Sequence, residues 1–282
     1  MSSRLISFFL IILLLPGCAV AQGADNMKLE ESVCGMKEPF IFWLWSSMAG
    51  SPGTKRLVGL NNVEDIAYKT NDGRVLRGYK LTAGKSKTAQ DNNAKGFLLV
   101  LQGNAILADQ IIADFNRFSQ VGFDVYIYDY RGYGRSEGKR RLKAMVSDTR
   151  EIINFLSNKP YKKRLVYAMS FGGILLLDAL ETNNKLDKVI IDSSPARLSD
   201  YGCPEEYDPI SYLPNECGHF MFITGKRDNV VTANMTSEMV KKARQCHAKI
   251  IIDEEFSHPF MDANILVHQR RMKIIEQFLL LE

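Results

Sequence analysis

Residues Tyr167-Ala168-Met169-Ser170-Phe171-Gly172-Gly173 decide how the rest of the chain is read. The apolar, β-rich run Arg164-Leu165-Val166-Tyr167-Ala168 leads straight into Ser170, and the apolar stretch 171–180, helical in character, leads straight out. Strand, one-residue corner and helix follow one another without a linker. So sharp a turn holds its corner residue in strained geometry, and close packing of strand against helix requires small side chains two before and two after it. Ala168 and Gly172 meet that requirement. The corner hydroxyl is then exposed at a helix N-terminus, where the Phe171 N–H is free to bind an oxygen as it gains negative charge. Ser170 is the candidate nucleophile, but a serine between small residues at a helix start is also an ordinary N-cap, so its partners must discriminate.

On the N-terminal side, residues 63–68 and 75–81 read as two alternating runs joined by Asn71-Asp72-Gly73, a turn rich in residues that tolerate positive φ. After a polar loop, residues 96–101 form a continuous apolar run of the buried parallel kind. Gln102-Gly103-Asn104-Ala105 and an amphipathic helix through Ile111, Ile112, Phe115 and Phe118 come next. A strand at 123–129, a glycine-rich loop at 130–138 and a helix at 142–156 lead up to the corner. Beyond it, strands at 188–192, 219–224 and 249–252 alternate with helices at 232–245 and 259–280, and a Pro- and Cys-bearing excursion occupies 193–218. Such alternation predicts an α/β fold with a mostly parallel central sheet, helices on both faces and a minimal cap.

Loops at the carboxyl ends of parallel strands converge on one edge. There the sequence places Ser170, Asp228 in Gly225-Lys226-Arg227-Asp228-Asn229, His258 in Phe256-Ser257-His258-Pro259, and Gln102-Gly103-Asn104. A serine hydroxyl needs an imidazole to take its proton, and the imidazole needs a carboxylate to fix its tautomer. His258 and Asp228 fit those roles, with Asp192 as the fallback acid. Backbone N–H groups of Asn104 and Phe171 would form the oxyanion hole. His219, His247 and His268 fall in strand or helix contexts that suit surface or core histidines. The spacing Gly132, Gly134, Gly138 misses a dinucleotide loop, and no His or Cys spacing fits zinc, so no cofactor is expected.

The motif series Glu64-Asp65, Thr70-Asn71-Asp72-Gly73, Gln102-Gly103-Asn104-Ala105, the loop from Asp129 through Gly138 and Ala168-Met169-Ser170-Phe171-Gly172-Gly173 resembles the BEM46-like branch of the α/β-hydrolase superfamily, over about residues 50–282. The resemblance implies a serine hydrolase acting on an ester or thioester through an acyl-enzyme. Gln102 stands where that family usually has His, Ala168 where it has Gly, and Ser257 where Gly commonly precedes the histidine. A module that kept the fold and only binds is the alternative.

The 282 residues, 46% hydrophobic and 24% charged, suit one large α/β domain or two small ones. A net charge of +4, without basic runs interleaved with aromatics, points away from nucleic acid. Arg4 precedes the apolar run 5–15, too short to span a bilayer, and Leu15-Pro16-Gly17-Cys18 resembles the bacterial lipobox. The expectation is a signal peptide at 1–17, an acylated Cys18, a tether and packing segment at 18–55 and the catalytic domain at 56–282. That would make the chain an exported lipoprotein on the outer membrane facing the periplasm, with a lipid or small ester as substrate. An ordinary signal peptide cut near Ala19 or Ala21 is the other reading. Cys34, Cys203, Cys217 and Cys246 remain, an even number that suits disulfides, with Cys203–Cys217 expected first and buried free thiols as the alternative. Phe40-Ile41-Phe42-Trp43-Leu44-Trp45 is expected to pack on the domain rather than touch a membrane.

Overall fold

The computed structural model describes residues 28–84, 94–180 and 185–281; the run 5–15 and Cys18 lie outside them. Eight strands form one sheet in the order β1-β2-β4-β3-β5-β6-β7-β8. β1 (Val63–Lys69) and β2 (Val75–Leu81) form the expected antiparallel hairpin, and β2 also runs antiparallel to β4 (Phe123–Tyr128). From β4 onward every pairing is parallel, through β3 (Gly96–Leu101), β5 (Lys163–Met169), β6 (Lys188–Asp192), β7 (Phe220–Gly225) and β8 (Lys249–Asp253). All six residues of β3 and all six of β4 are buried, the signature of strands covered on both faces.

Strand alternation divides the core in two. Phe97, Leu99 and Leu101 of β3, with Val166 and Ala168 of β5, face α4 (Leu142–Ser157), α5 (Phe171–Ala179) and α6 (Ala233–Gln245). Leu98, Val100, Leu165 and Tyr167 face the other layer, built from α2 (Ala108–Ile111), α3 (Asn116–Gln120) and α7 (Ile265–Leu280). This is the α/β-hydrolase fold.

Three elements differ from expectation. The helix expected near 108–118 is two short α-helices with a 3-10 turn at Ile112–Phe115 between them. The last helix begins at Ile265 rather than 259, because the Asn264 side chain accepts from the Leu266 and Val267 N–H groups and caps it there. The tether and packing segment, for which no helix was expected, contains one, α1 (Lys37–Met48), which packs on the domain through Phe42 while most of its apolar residues stay exposed.

The expected Cys203–Cys217 disulfide is not formed. Cys34 pairs with Cys203 across 169 residues, and Cys217 pairs with Cys246. Cys217 enters β7 beside the C-terminus of α6, where its N–H donates to the Cys246 carbonyl at 2.9 Å. Cys203 lies on the excursion against the segment that leads into α1. Proximity along the chain was therefore a poor guide: the sheet edge and α1 each bring a more distant partner within reach.

Candidate active site

Ser170 occupies the corner between β5 and α5 with φ 53° and ψ −119°, a left-handed conformation that few non-glycine residues adopt. What holds it there is packing on both sides. A Cβ at Gly172 would lie 2.1 Å from the Leu101 carbonyl oxygen and one at Gly173 2.7 Å from the Ser194 side chain, so glycine at these positions lets α5 start against the backbone of β3 and the residues that follow β6. The Ser170 N–H donates to the Asp192 carbonyl at 2.8 Å, continuing the β5–β6 ladder into the corner. At the start of α5 the Phe171 N–H has no partner within its own helix, as position demands.

Asp228 and His258 are brought together. His258 Nδ1 lies 2.9 Å from Asp228 Oδ2, and Asp228 Oδ1 accepts the N–H groups of Val230 and Val231 at 2.8 Å each. Burial pushes the Asp228 carboxyl up, but the His258 hydrogen bond and charge, with the two backbone donors, outweigh it and hold the group below its ordinary value. An ionised Asp228 accepting from Nδ1–H leaves Nε2 as the free base. No hydrogen bond joins that imidazole to Ser170 Oγ. Such bonds are often long in unliganded sites and tighten when substrate is bound.

Asp192, the fallback acid, is committed elsewhere. It accepts from Arg271 Nη1 at 2.7 Å and from the Tyr167 hydroxyl at 3.0 Å. Arg271 also donates to both Asp262 oxygens at 3.0 Å and to the Ser257 carbonyl at 2.5 Å, while Asp262 accepts the Ser257 N–H at 3.0 Å. One buried guanidinium from α7 thus fixes the loop that carries His258. Sequence reasoning missed it. The available signal was a lone arginine within the apolar stripe Val267, Met272, Ile275, Leu279, a position where a charge must have partners.

The loop after β3 is tied down from β4. The Gln102 side-chain amide donates to the Tyr128 carbonyl at 2.9 Å, and the Tyr130 hydroxyl donates to the Gln102 carbonyl at 2.6 Å. The Tyr133 hydroxyl donates to Asn104 Oδ1, while Asn104 Nδ2 is buried without a partner among the described residues. A Cβ at Gly103 would lie 3.7 Å from the Ser170 Cβ, so this loop runs beside the nucleophile candidate. The chemistry available is a hydroxyl on a strained, partly exposed corner, an oriented imidazole on the same sheet edge, and backbone donors from two loops. Among the described residues no cluster of metal-ligating side chains occurs.

Comparisons with known proteins agree with this architecture. The family description "serine aminopeptidase, S33" matches residues 92–208. The uncharacterized protein YfhR of Escherichia coli K12 is 25% identical over 228 residues, which cover 75% of this chain and 79% of that one. Among solved structures, the Pyrococcus furiosus esterase Pf2001 superposes with a TM-score of 0.62 at 18% identity, over 82% of this chain and 96% of the esterase. XC6422 from Xanthomonas campestris, described as an a/b serine hydrolase without lid, gives 0.59 at 13% identity, over 79% and 97%. With the sheet order and the corner at Ser170, these matches give the chain the α/β-hydrolase fold.

Proposed function

We propose that the protein is a serine hydrolase that cleaves a carboxylic ester or thioester through an acyl-enzyme. The observation that carries the reading is the left-handed Ser170 on the same sheet edge as the His258–Asp228 pair. Ser170 Oγ attacks the acyl carbon as His258 Nε2 takes its proton, and the carbonyl oxygen, now negative, is held by the N–H groups of Phe171 and Asn104. The bond to the leaving group breaks as that proton is returned to it. Water, deprotonated by His258, then releases the acid and restores Ser170. Asp228 keeps the imidazole in the tautomer that both halves need.

The excursion between β6 and β7 consists of three 3-10 turns, Ser199–Tyr201, Glu205–Tyr207 and Pro209–Tyr212, rather than a helical cap. That favours a substrate presented at a surface, such as a lipid, an acylated protein or a short ester. Two disulfides within one chain suit an oxidising compartment. Together with the lipobox-like Cys18 they support an exported lipoprotein anchored through that cysteine. Treating intact protein with a fluorophosphonate tests the chemistry: labelling should occur and vanish in Ser170→Ala, and equal labelling of both proteins defeats it. Gln102 is the one residue that favours the alternative, a binding module without turnover of any ester. A chain-length series of nitrophenyl esters then separates acyl preferences.

A further inference from the structure

α1 is an exposed helix with almost no polar side. From Phe40 to Met48 it has no charged residue, and its hydroxyls turn back on the helix, Ser46 and Ser47 donating to the Trp43 carbonyl at 3.0 and 2.8 Å. Phe40, Trp43, Leu44, Trp45 and Met48 are 61, 53, 41, 36 and 67% exposed. A helix apolar on every side belongs in a core or in lipid, and an exposed apolar area of this size marks a docking surface. It is also held firmly. Glu38, buried, accepts the N–H groups of Val33, Cys34 and Leu142 at 2.7, 2.8 and 2.9 Å, and the Cys34–Cys203 disulfide pins the entry to the helix.

The patch sits beside the candidate active site. The Phe42 ring lies 5.3 Å from that of Phe171, the residue after Ser170. Other loops of that edge show apolar side chains as well: Val230 just past Asp228, Met261, whose N–H donates to the His258 carbonyl at 2.8 Å, and Ile265 and Leu266 where α7 begins.

We propose that the aromatic face of α1 docks on a lipid bilayer surface and sets the Ser170 edge against it, so that an acyl substrate enters from the lipid. The proposal rests on the hydrolase reading for its substrate but not for its docking. Three observations choose lipid over a protein partner. Tryptophan is favoured where an apolar body meets wet headgroups, and this helix carries two, both exposed. Lys37 opens the helix and Lys55 follows it, exposed cations that suit anionic headgroups. The chain preceding the described residues carries the lipobox-like Cys18, whose expected acylation would hold the N-terminus at a membrane. At 12 residues α1 cannot cross a bilayer, and no described helix is long and apolar enough to do so, so it would lie in the interfacial plane.

Trp43 and Trp45 are the only two tryptophans in the chain, so the intrinsic fluorescence of the intact protein reports on α1 alone, whether or not the N-terminus also binds. Vesicles of phosphatidylcholine with phosphatidylglycerol should shift the emission to the blue, and acyl-chain-brominated lipid should quench it. In the double substitution Phe40→Asp with Leu44→Asp, which keeps both tryptophans, quenching should be lost. Its hydrolysis of a vesicle-borne ester should fall roughly tenfold, with turnover of soluble nitrophenyl acetate unchanged. Sedimentation with vesicles without shift or quenching overturns the proposal, as does a blue-shifted dimer formed without lipid, which would make a second copy the occupant. Quenching without turnover of either ester would remove the hydrolase reading and leave the docking in place.

Discussion

Among the described residues Arg131 and Arg271 are the two largest fully buried side chains, and they are built into different halves of the molecule by the same chemistry. Arg131, in the loop after β4, bonds Asp148 of α4 and Asp72 of the hairpin turn, and reaches Glu30 at 3.3 Å. Arg271 bonds Asp192 and Asp262 and caps the Ser257 carbonyl. Each neutralises two or three carboxylates out of water. The first ties three structural segments together and makes none of its bonds to the loops of Ser170, Asp228 or His258, whereas the second holds the loop that carries His258. A buried ion cluster is therefore not by itself a sign of function: what matters is which loop it immobilises.

Substitution separates the two. Arg271→Ala should produce the largest effect, lowering the rate of fluorophosphonate labelling about 100-fold through misplacement of His258 while the circular dichroism spectrum stays that of a folded protein. Unchanged labelling would reduce Arg271 to the status of Arg131. Arg131→Ala, by stranding Asp72 and Asp148, should cost about 3–5 kcal/mol in urea unfolding, with the labelling rate of the folded fraction unchanged. Loss of labelling at equal stability would erase the contrast. The N-terminal segment is shared between Glu30 and the Cys34–Cys203 disulfide, so Cys34→Ser with Cys203→Ser should cost about 2–4 kcal/mol and make α1 the first part cut by protease.

Asp178 supplies the smallest and sharpest control, a buried carboxylate with no such clamp. Neither of its oxygens has a hydrogen-bond partner among the described residues, and burial, only partly opposed by the Arg150 charge, pushes it up to about 7. Because its folded value lies above the ordinary carboxylate range, its contribution to stability is fully present below about pH 4 and is lost as pH rises through about 7. Asp178→Asn should change little below about pH 4 and add about 1–2 kcal/mol at pH 8.5, flattening the pH dependence of urea unfolding. An equal gain at both pH values would show that burial does not neutralise this group.

The strands from β1 to β8 and the positions of Ser170, Asp228 and His258 on one edge were legible in the chain, because buried parallel strands are written as local apolar runs and the loops after them follow by topology. The corner at Ser170 was readable for the same reason: a strand, a small residue, a serine and a glycine occur in order along a few positions. Tertiary structure alone decided the rest. The cysteine pairing depended on α1 reaching the excursion and on β7 lying beside the end of α6. That His258 meets Asp228, while Asp192 is engaged by Arg271 a hundred residues from the corner, is a matter of tertiary contact alone. Polar partners are selected by distance in space, which the linear order of residues does not encode, whereas apolar periodicity is a local property and survives in one dimension.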